Sequence, residues 1–463
     1  MRHSLGPSML CATWLAAACM WSPLAVAQQA PQAPQTAPAG TQAAEERAAA
    51  EAIPLEEIRR YVSVFNTVKQ GYVEPVEDRK LMQSAIRGLL LDLDPHSVYL
   101  VRSDADTLQE RTEGSYAGIG VEVQPQPDGT ILVIAPIDGT PAARAGIRAG
   151  DLIIAIDGTL LSATPESENP LRGEPGSTVT LRVQREGRSE PLEIAVTREV
   201  VRVSSVQARS LEPGYGYIRI STFQADTGND FVAALDRLQA EAGAARGRGL
   251  RGLVIDLRSN PGGILGAAVR IADELLDSGT IVSTRARDPL NNTVNTAEKG
   301  DRMNGAPIAV LIDAGSASAS EVLAAALGDN RRATLVGSRS FGKGSVQAVL
   351  PLDNGDAIKL TTARYYTPNG TSIQARGIRP DVLLKPDGST LKGRPGQVSE
   401  AALAGHLESE GAPSGSEGVT VQEGAERGGV GYVLDGDAPI QAALQVLKQR
   451  PAAGVGAAPT AAR

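Results

Sequence analysis

A chain of 463 residues with a 42% hydrophobic share has the composition of an ordinary soluble protein and length for roughly three folded units. Its formal charge of -8, with both signs interspersed, gives no footing for nucleic acid, and 3% aromatics leaves few rings on which bases could stack. Cys11 and Cys19 are its only cysteines and His3, His96 and His406 its only histidines, so thiol and imidazole chemistry have few places to act.

Arg2 and His3 precede an apolar stretch over residues 9–21 and then Ala25-Val26-Ala27. This pattern predicts a signal peptide, residues 1–27, cleaved after Ala27, because the apolar run is shorter than the ~20 residues of a spanning helix. A lipidated Cys19 is the alternative targeting reading. Cleavage removes both cysteines, and with them disulfides, thiol nucleophiles and thiolate metal ligands. Export to the periplasm is the expected location, membrane association being possible through Cys19.

Residues 28–52, rich in Gln, Ala and Pro, read as a disordered linker. An N-terminal helical region follows over 53–105: Leu55, Ile58, Val62, Phe65 and Val68 keep helical spacing, as do Leu81, Ala85, Ile86, Leu89, Leu90 and Leu93 before the Asp94-Pro95 break. Short strands are then predicted at 118–123, 131–134, 151–156, 178–183 and 192–196, with one short helix at 141–146. That order resembles a PDZ domain over 106–200. The resemblance implies that Gly118-Ile119-Gly120-Val121 is the loop that binds a peptide's terminal carboxylate, its backbone N–H groups cradling the charge while a strand edge takes the extended peptide.

From residue 201 to 386 strands and helices alternate as in stacked ββα or βαβ units, with strands near 215–220, 253–257, 281–284, 308–312 and 357–361, and helices near 230–240, 264–276 and 321–327. Residues 387–463 turn to Gly, Ser, Glu and Pro and read as a mostly disordered tail with one short helix near 438–447.

Two turns in the larger region carry chemistry. Gly315-Ser316-Ala317-Ser318-Ala319-Ser320-Glu321 joins an apolar strand to a helix, where backbone N–H groups are free to hold an oxyanion. Phe341-Gly342-Lys343-Gly344-Ser345-Val346-Gln347 brackets a lysine with two glycines. Serine needs a base, and a desolvated lysine can be one, since burial favours the neutral amine. Of the histidines, His96 alone stands in a folded region, at a turn where a structural part is the simpler reading. Ser318-Ala319-Ser320-Glu321 also has the form of a capping box, in which the serine merely closes the helix, and residue pattern alone leaves both readings open.

These two runs, together with Asp256-Leu257-Arg258-Ser259-Asn260-Pro261-Gly262-Gly263 and Leu93-Asp94-Pro95-His96-Ser97, closely resemble the carboxyl-terminal processing, or tail-specific, peptidases, in order over residues 55–385. In that family the middle serine of the Ser-Ala-Ser-Ala-Ser run is the nucleophile, with the lysine 25 residues later and the glutamine four beyond, the spacing found here. The resemblance therefore implies Ser318 as nucleophile, Lys343 as base and Gln347 as its orienting partner. It implies an oxyanion hole from the amides of Ala319 and of Gly262 or Gly263, and Arg172 as a regulatory residue coupling peptide binding to activation. Asp313-Ala314 departs from the asparagine common among relatives, at a residue expected to carry no chemistry.

The implied fold is α/β: a crotonase-like protease core of stacked ββα units, an inserted mostly-β PDZ domain and an N-terminal helical segment. The implied activity is an endopeptidase acting on C-terminal tails of envelope proteins, without metal or other cofactor. Its expected partners are protein substrates with unstructured C-termini, a helical-repeat lipoprotein adaptor and further copies of the chain, with no nucleic acid. The rival is a PDZ scaffold on a silent core, or a protease inactive without its adaptor.

Overall fold

The structure, a computed structural model, describes residues 53–161, 170–246, 249–384, 399–410 and 432–449. The expected signal peptide and linker lie outside them. The chain divides into two units, Met1–Leu81 and Met82–Arg463.

In the first unit, α1 (Leu55–Gly71) has Glu56 and Glu57 in its first turn and Lys69 in its last, the arrangement its dipole favours. Helix α2 (Asp78–Leu91) opens there, Asp78 meeting the Lys69 amine at 2.8 Å. It ends in the second unit, which continues with β1 (Val98–Leu100) and α3 (Arg102–Glu113), closed by Gly114 in the left-handed conformation.

The small β unit comprises β2 (Ser115–Gly118), β3 (Val121–Pro125), β4 (Ile131–Pro136), the one-turn α4 (Pro141–Arg144), β5 (Leu152–Ile156), β6 (Thr159–Leu160), β7 (Thr178–Gln184) and β8 (Leu192–Thr197). Its sheet runs β3-β4-β5-β7-β8, with β6 beside β5. Val179, Leu181 and Val183 alternate inward along β7 and pack with Ile119, Ile147 and Ile153, the period-two pattern of a sheet with one buried face. Strand β9 (Glu199–Arg202) returns antiparallel to β2 as a separate two-stranded ribbon.

The larger region contains β10 (Val206–Glu212), β11 (Tyr215–Ile220), α5 (Thr227–Arg246), β12 (Gly252–Asp256), α6 (Leu265–Asp273), β13 (Thr280–Ala286), β14 (Thr293–Thr296) and β15 (Ile308–Ile312). After these come α7 (Ala319–Asp329), β16 (Ala333–Gly337), β17 (Ser345–Pro351), β18 (Ala357–Tyr366), β19 (Val382–Leu383) and α8 (Ala438–Gln449). The main sheet is ordered β10-β11-β12-β15-β16-β19, parallel except for the β10-β11 hairpin. A second sheet, β1-β18-β13-β14 with β17 also on β18, is antiparallel. Strands β10, β14 and β16 were not among the sequence expectations. Strand β16 is buried along its whole length and shows no alternation to read.

Both faces of the main sheet are covered, which is why its parallel strands are continuous apolar runs. Leu253, Ile255, Ile308, Val310 and Leu335 face α5, α6 and α7. Val254, Ala309, Leu311 and Val336 face Ile440, Ala443, Leu444 and Leu447 of α8. Residues 432–449, from the stretch expected to be a mostly disordered tail with one short helix, thus cover the second face of the main sheet. They are tied to it by Arg258, whose Nη1 donates to the carbonyls of Leu434 and Gly436 at 3.1 Å, and by Asp313, which accepts from Leu434 N at 3.2 Å.

Truncating a side chain of α8 should therefore act as a core mutation. Leu444→Ala is expected to destabilise by ~2–5 kcal/mol, read as a lower urea midpoint with an unchanged slope.

Candidate active site

Strand β15 delivers the chain into the loop that carries the three serines. Ser316 Oγ donates to Leu257 O at 2.7 Å and Ser320 Oγ to Asn260 O at 2.9 Å, so both hydroxyls brace this loop against the turn after β12. Ser318 differs. Its φ of 54° and ψ of -116° place a non-glycine residue in a strained region, a condition that persists only where the surroundings impose it. Its side chain lies near the buried phenol of Tyr365, whose pKa burial pushes up to about 12. Tyr365 was not singled out by sequence, since one tyrosine in a β-strand gives no sign of what it faces.

Glu321 joins this loop to the lysine turn. Its carboxylate is fully buried and accepts four hydrogen bonds: Ser318 N–H (2.8 Å) and Lys343 N–H (2.9 Å) on Oε2, and Ser340 Oγ (2.5 Å) and Gly342 N–H (2.7 Å) on Oε1. The backbone nitrogens of the candidate nucleophile and base thus bond to one oxygen atom. Desolvation pushes the Glu321 pKa up to about 7, against the pull of those four donors. Glu321 closes the carboxylate half of a capping box, so the capping reading of this motif holds, and it is compatible with Ser318 as a nucleophile.

Lys343 sits in a turn that requires its glycines. A Cβ on Gly344 would lie 2.3 Å from Gln374 N, and Gly342 has φ of 99° with Gly377 N 3.0 Å from where its Cβ would be. Burial lowers the Lys343 pKa to about 8; the Lys359 charge acts in the same direction, and Glu400, Asp94 and Glu321 act against it.

The turn after β12 approaches from the other side. A Cβ on Gly262 (φ 101°) would stand 2.8 Å from Ser318 Cβ and 2.7 Å from Ala317 O. Gly262 N–H is committed to Asn260 Oδ1 at 2.9 Å, whereas the amides of Gly263 and Ala319 have no acceptor among the described residues. Asp313 ties the two turns, its Oδ1 accepting from Ser259 N at 2.8 Å and Gly315 N at 2.9 Å. Burial raises its pKa despite these bonds. Its carboxylate organises the site from behind, a part that the expectation of no chemistry did not include.

Gln347 lies on β17, where its Nε2 donates to Ser345 Oγ (3.0 Å) and Thr361 Oγ1 (3.2 Å). A bond to the Lys343 amine is not among those of the described residues, and Oε1 is the atom left to accept one. Thr361 donates to Asp94 Oδ1 at 3.0 Å, and Asp94 also takes Ser97 Oγ at 2.6 Å. Burial would raise the Asp94 pKa, but these bonds together with the His96 amide hold it below the usual carboxylate range. His96 turns its Nε2 to Glu400 at 2.8 Å, and His406 bonds its own turn at Leu403 O.

In the small β unit, Ile119 is buried in the core, and Gly120 (φ 75°) is pressed against Thr140, where a Cβ would meet side-chain atoms at 2.4–2.7 Å. Ile137 N and Thr140 Oγ1 both donate to Gly120 O, and Val121 begins β3, the sheet's edge strand. Arg172 pairs with Glu110 of α3, lies 5.2 Å from the Tyr116 ring and bridges Gly118 by backbone. It thus joins the glycine loop to the helix before it.

Gly262→Ala should displace the serine loop without emptying the core. We expect a loss of about a hundredfold in turnover with the unfolding temperature changed by only a few degrees, from steady-state rates and a thermal melt.

Residues 214–384 match the model of peptidase family S41, residues 117–196 a PDZ domain, and residues 14–107 the N-terminal domain of the activating protease CtpB. The chain is 42% identical over 355 residues to a carboxy-terminal-processing protease of Bartonella bacilliformis, covering 76% of this chain and 81% of that one. It is 36% identical over 363 residues to carboxy-terminal processing protease CtpB of Bacillus subtilis, covering 76% and 72%. Among solved structures it is similar to a photosystem II D1 C-terminal processing protease, at 32% identity and a TM-score of 0.42, over 71% of this chain and 92% of that one. With the family model falling on the region that holds Ser318 and Lys343, and relatives matched over most of their length, the chain belongs to the PDZ-containing carboxy-terminal processing peptidases of family S41.

Proposed function

We propose that this peptidase is an exported endopeptidase that takes the C-terminal tails of envelope proteins on its PDZ domain and cleaves them with a Ser318-Lys343 dyad. The observation that carries this reading is the single Glu321 oxygen bonded to the backbone of both residues, beside a lysine whose pKa burial brings to about 8. Lys343, as the neutral amine, removes the Ser318 proton while Oγ attacks the scissile carbonyl. The amides of Ala319 and Gly263, both without acceptors among the described residues, take the oxyanion. Collapse breaks the C–N bond, and the lysine ammonium returns its proton to the leaving amine. The neutral lysine then deprotonates water, which attacks the acyl ester and releases the new C-terminal carboxylate and the Ser318 hydroxyl. Gln347 orients the amine through Oε1.

The PDZ glycine loop at Gly118-Ile119-Gly120-Val121 would hold the tail, and Arg172, paired with Glu110, would report its occupancy to the core. Periplasmic location, a helical-repeat lipoprotein adaptor and self-association complete the proposal and rest on the family resemblance and the N-terminal leader pattern.

Ser318→Ala and Lys343→Ala should each reduce hydrolysis of an unstructured peptide by about a thousandfold or more while leaving its binding unchanged. Hydrolysis surviving both would remove the dyad, and an inactive parent protein would favour the scaffold reading. Because the lysine works as the neutral amine, kcat/KM should climb with pH and level off above about 8. Glu321→Gln replaces an acceptor of four hydrogen bonds by a group that must itself donate, and should lower kcat by about a hundredfold or more in steady-state assays.

A further inference from the structure

Residues 399–410 contain a buried acid outside the span matched by the peptidase model, which ends at residue 384. Glu400 is fully buried in a single 3-10 turn, Glu400–Ala402. A carboxylate in such a place is tolerated only with strong partners. His96 Nε2 lies 3.0 and 2.8 Å from its two oxygens, and Gln374 Nε2 donates to Oε1 at 2.8 Å.

These bonds converge on the lysine turn. Glu400 N–H donates to Phe341 O at 3.1 Å on one shoulder of Lys343, and Gly344 N–H donates to Gln374 Oε1 at 2.9 Å on the other. Gln374 therefore accepts from the turn with its side-chain oxygen and donates to Glu400 with its side-chain nitrogen. Two further bonds hold the same segment, from Arg364 to Glu408 O (2.6 Å) and from Arg376 to Glu410 O (3.4 Å). The charges that face Lys343 are Lys359 on β18, Glu400, Asp94 after α2 and Glu321 on α7, while His96 and Lys343 face Glu400.

We infer that Glu400 is a positioning residue for Lys343, fixing both shoulders of its turn and setting a negative charge toward its amine. This inference rests on the dyad reading. It gives the segment after the matched peptidase region a defined part in the reaction, and it gives His96 a task other than that of general base: to hold the carboxylate in place.

The test uses the full chain with Glu400→Gln, Gln374→Met and Lys343→Ala, following peptide turnover and fluorophosphonate labelling of Ser318 across pH, with thermal melts to check folding. Glu400→Gln should lower kcat by about tenfold or more, with KM changed by less than about twofold. Its acid limb should move to lower pH, because removing a negative charge makes the neutral amine easier to form. Gln374→Met should lower kcat with the limb unmoved, since the charge remains. Unchanged kinetics in Glu400→Gln, or a lower rate with an unmoved limb, would overturn the inference. Should Glu400→Gln fail to fold, unchanged kcat in Gln374→Met would do so. An active Lys343→Ala would instead sink the dyad reading, whatever the other variants show.

Discussion

The active-site region depends on one buried carboxylate. Glu321 is removed from water and accepts four hydrogen bonds, two from the backbones of the residues read as nucleophile and base. Stripping a carboxylate of water is costly, and only a full set of donors offsets it. The four donors come from the serine loop and the lysine turn, which are 25 residues apart in sequence. Loss of either loop's geometry would leave the charge unsatisfied. Local order at the site and the free energy of burying this acid are therefore coupled, which is one way for a strained Ser318 backbone to be maintained.

Around that carboxylate, three segments distant in sequence supply support. The turn after β12 brings Gly262 against Ser318, the loop at Asp94 anchors the strand of Gln347 through Thr361, and the Glu400 segment braces the lysine turn. Each meets the site through backbone groups or buried polar side chains, the kind of contact that fixes geometry with little tolerance for substitution. The main sheet beneath, apolar on both faces, gives these loops a rigid base.

Much of this was legible in the sequence, for identifiable reasons. The β7 alternation, the apolar runs of β12 and β15 and the glycine-bracketed lysine are local patterns whose physical meaning does not depend on what lies opposite. What was not legible depends on long-range partners. Burial of Glu321 by both loops cannot be read from an S-x-x-E run, which looks the same at a solvated helix end. The family spacing singled out Ser318, but the bracing parts of Ser316 and Ser320 could not be read without their acceptors, Leu257 O and Asn260 O. That the Asn260 side chain occupies the Gly262 amide was likewise not legible in the sequence. The weight of α8 was hidden because a short amphipathic helix after a polar stretch carries no sign of the sheet face waiting for it.

That late helix also bears on the order in which the molecule is finished. Asp313 and Arg258, which stand behind the serine loop and the glycine turn, complete their hydrogen bonds only with Leu434 and Gly436. A ribosome makes these residues more than a hundred positions after Ser318 and about ninety after Lys343. A nascent chain thus holds the serine loop and the lysine turn well before it holds the segment that closes the sheet behind them. The backing behind the two loops is therefore completed only after both loops have been made, and copies cut short before Leu434 lack it.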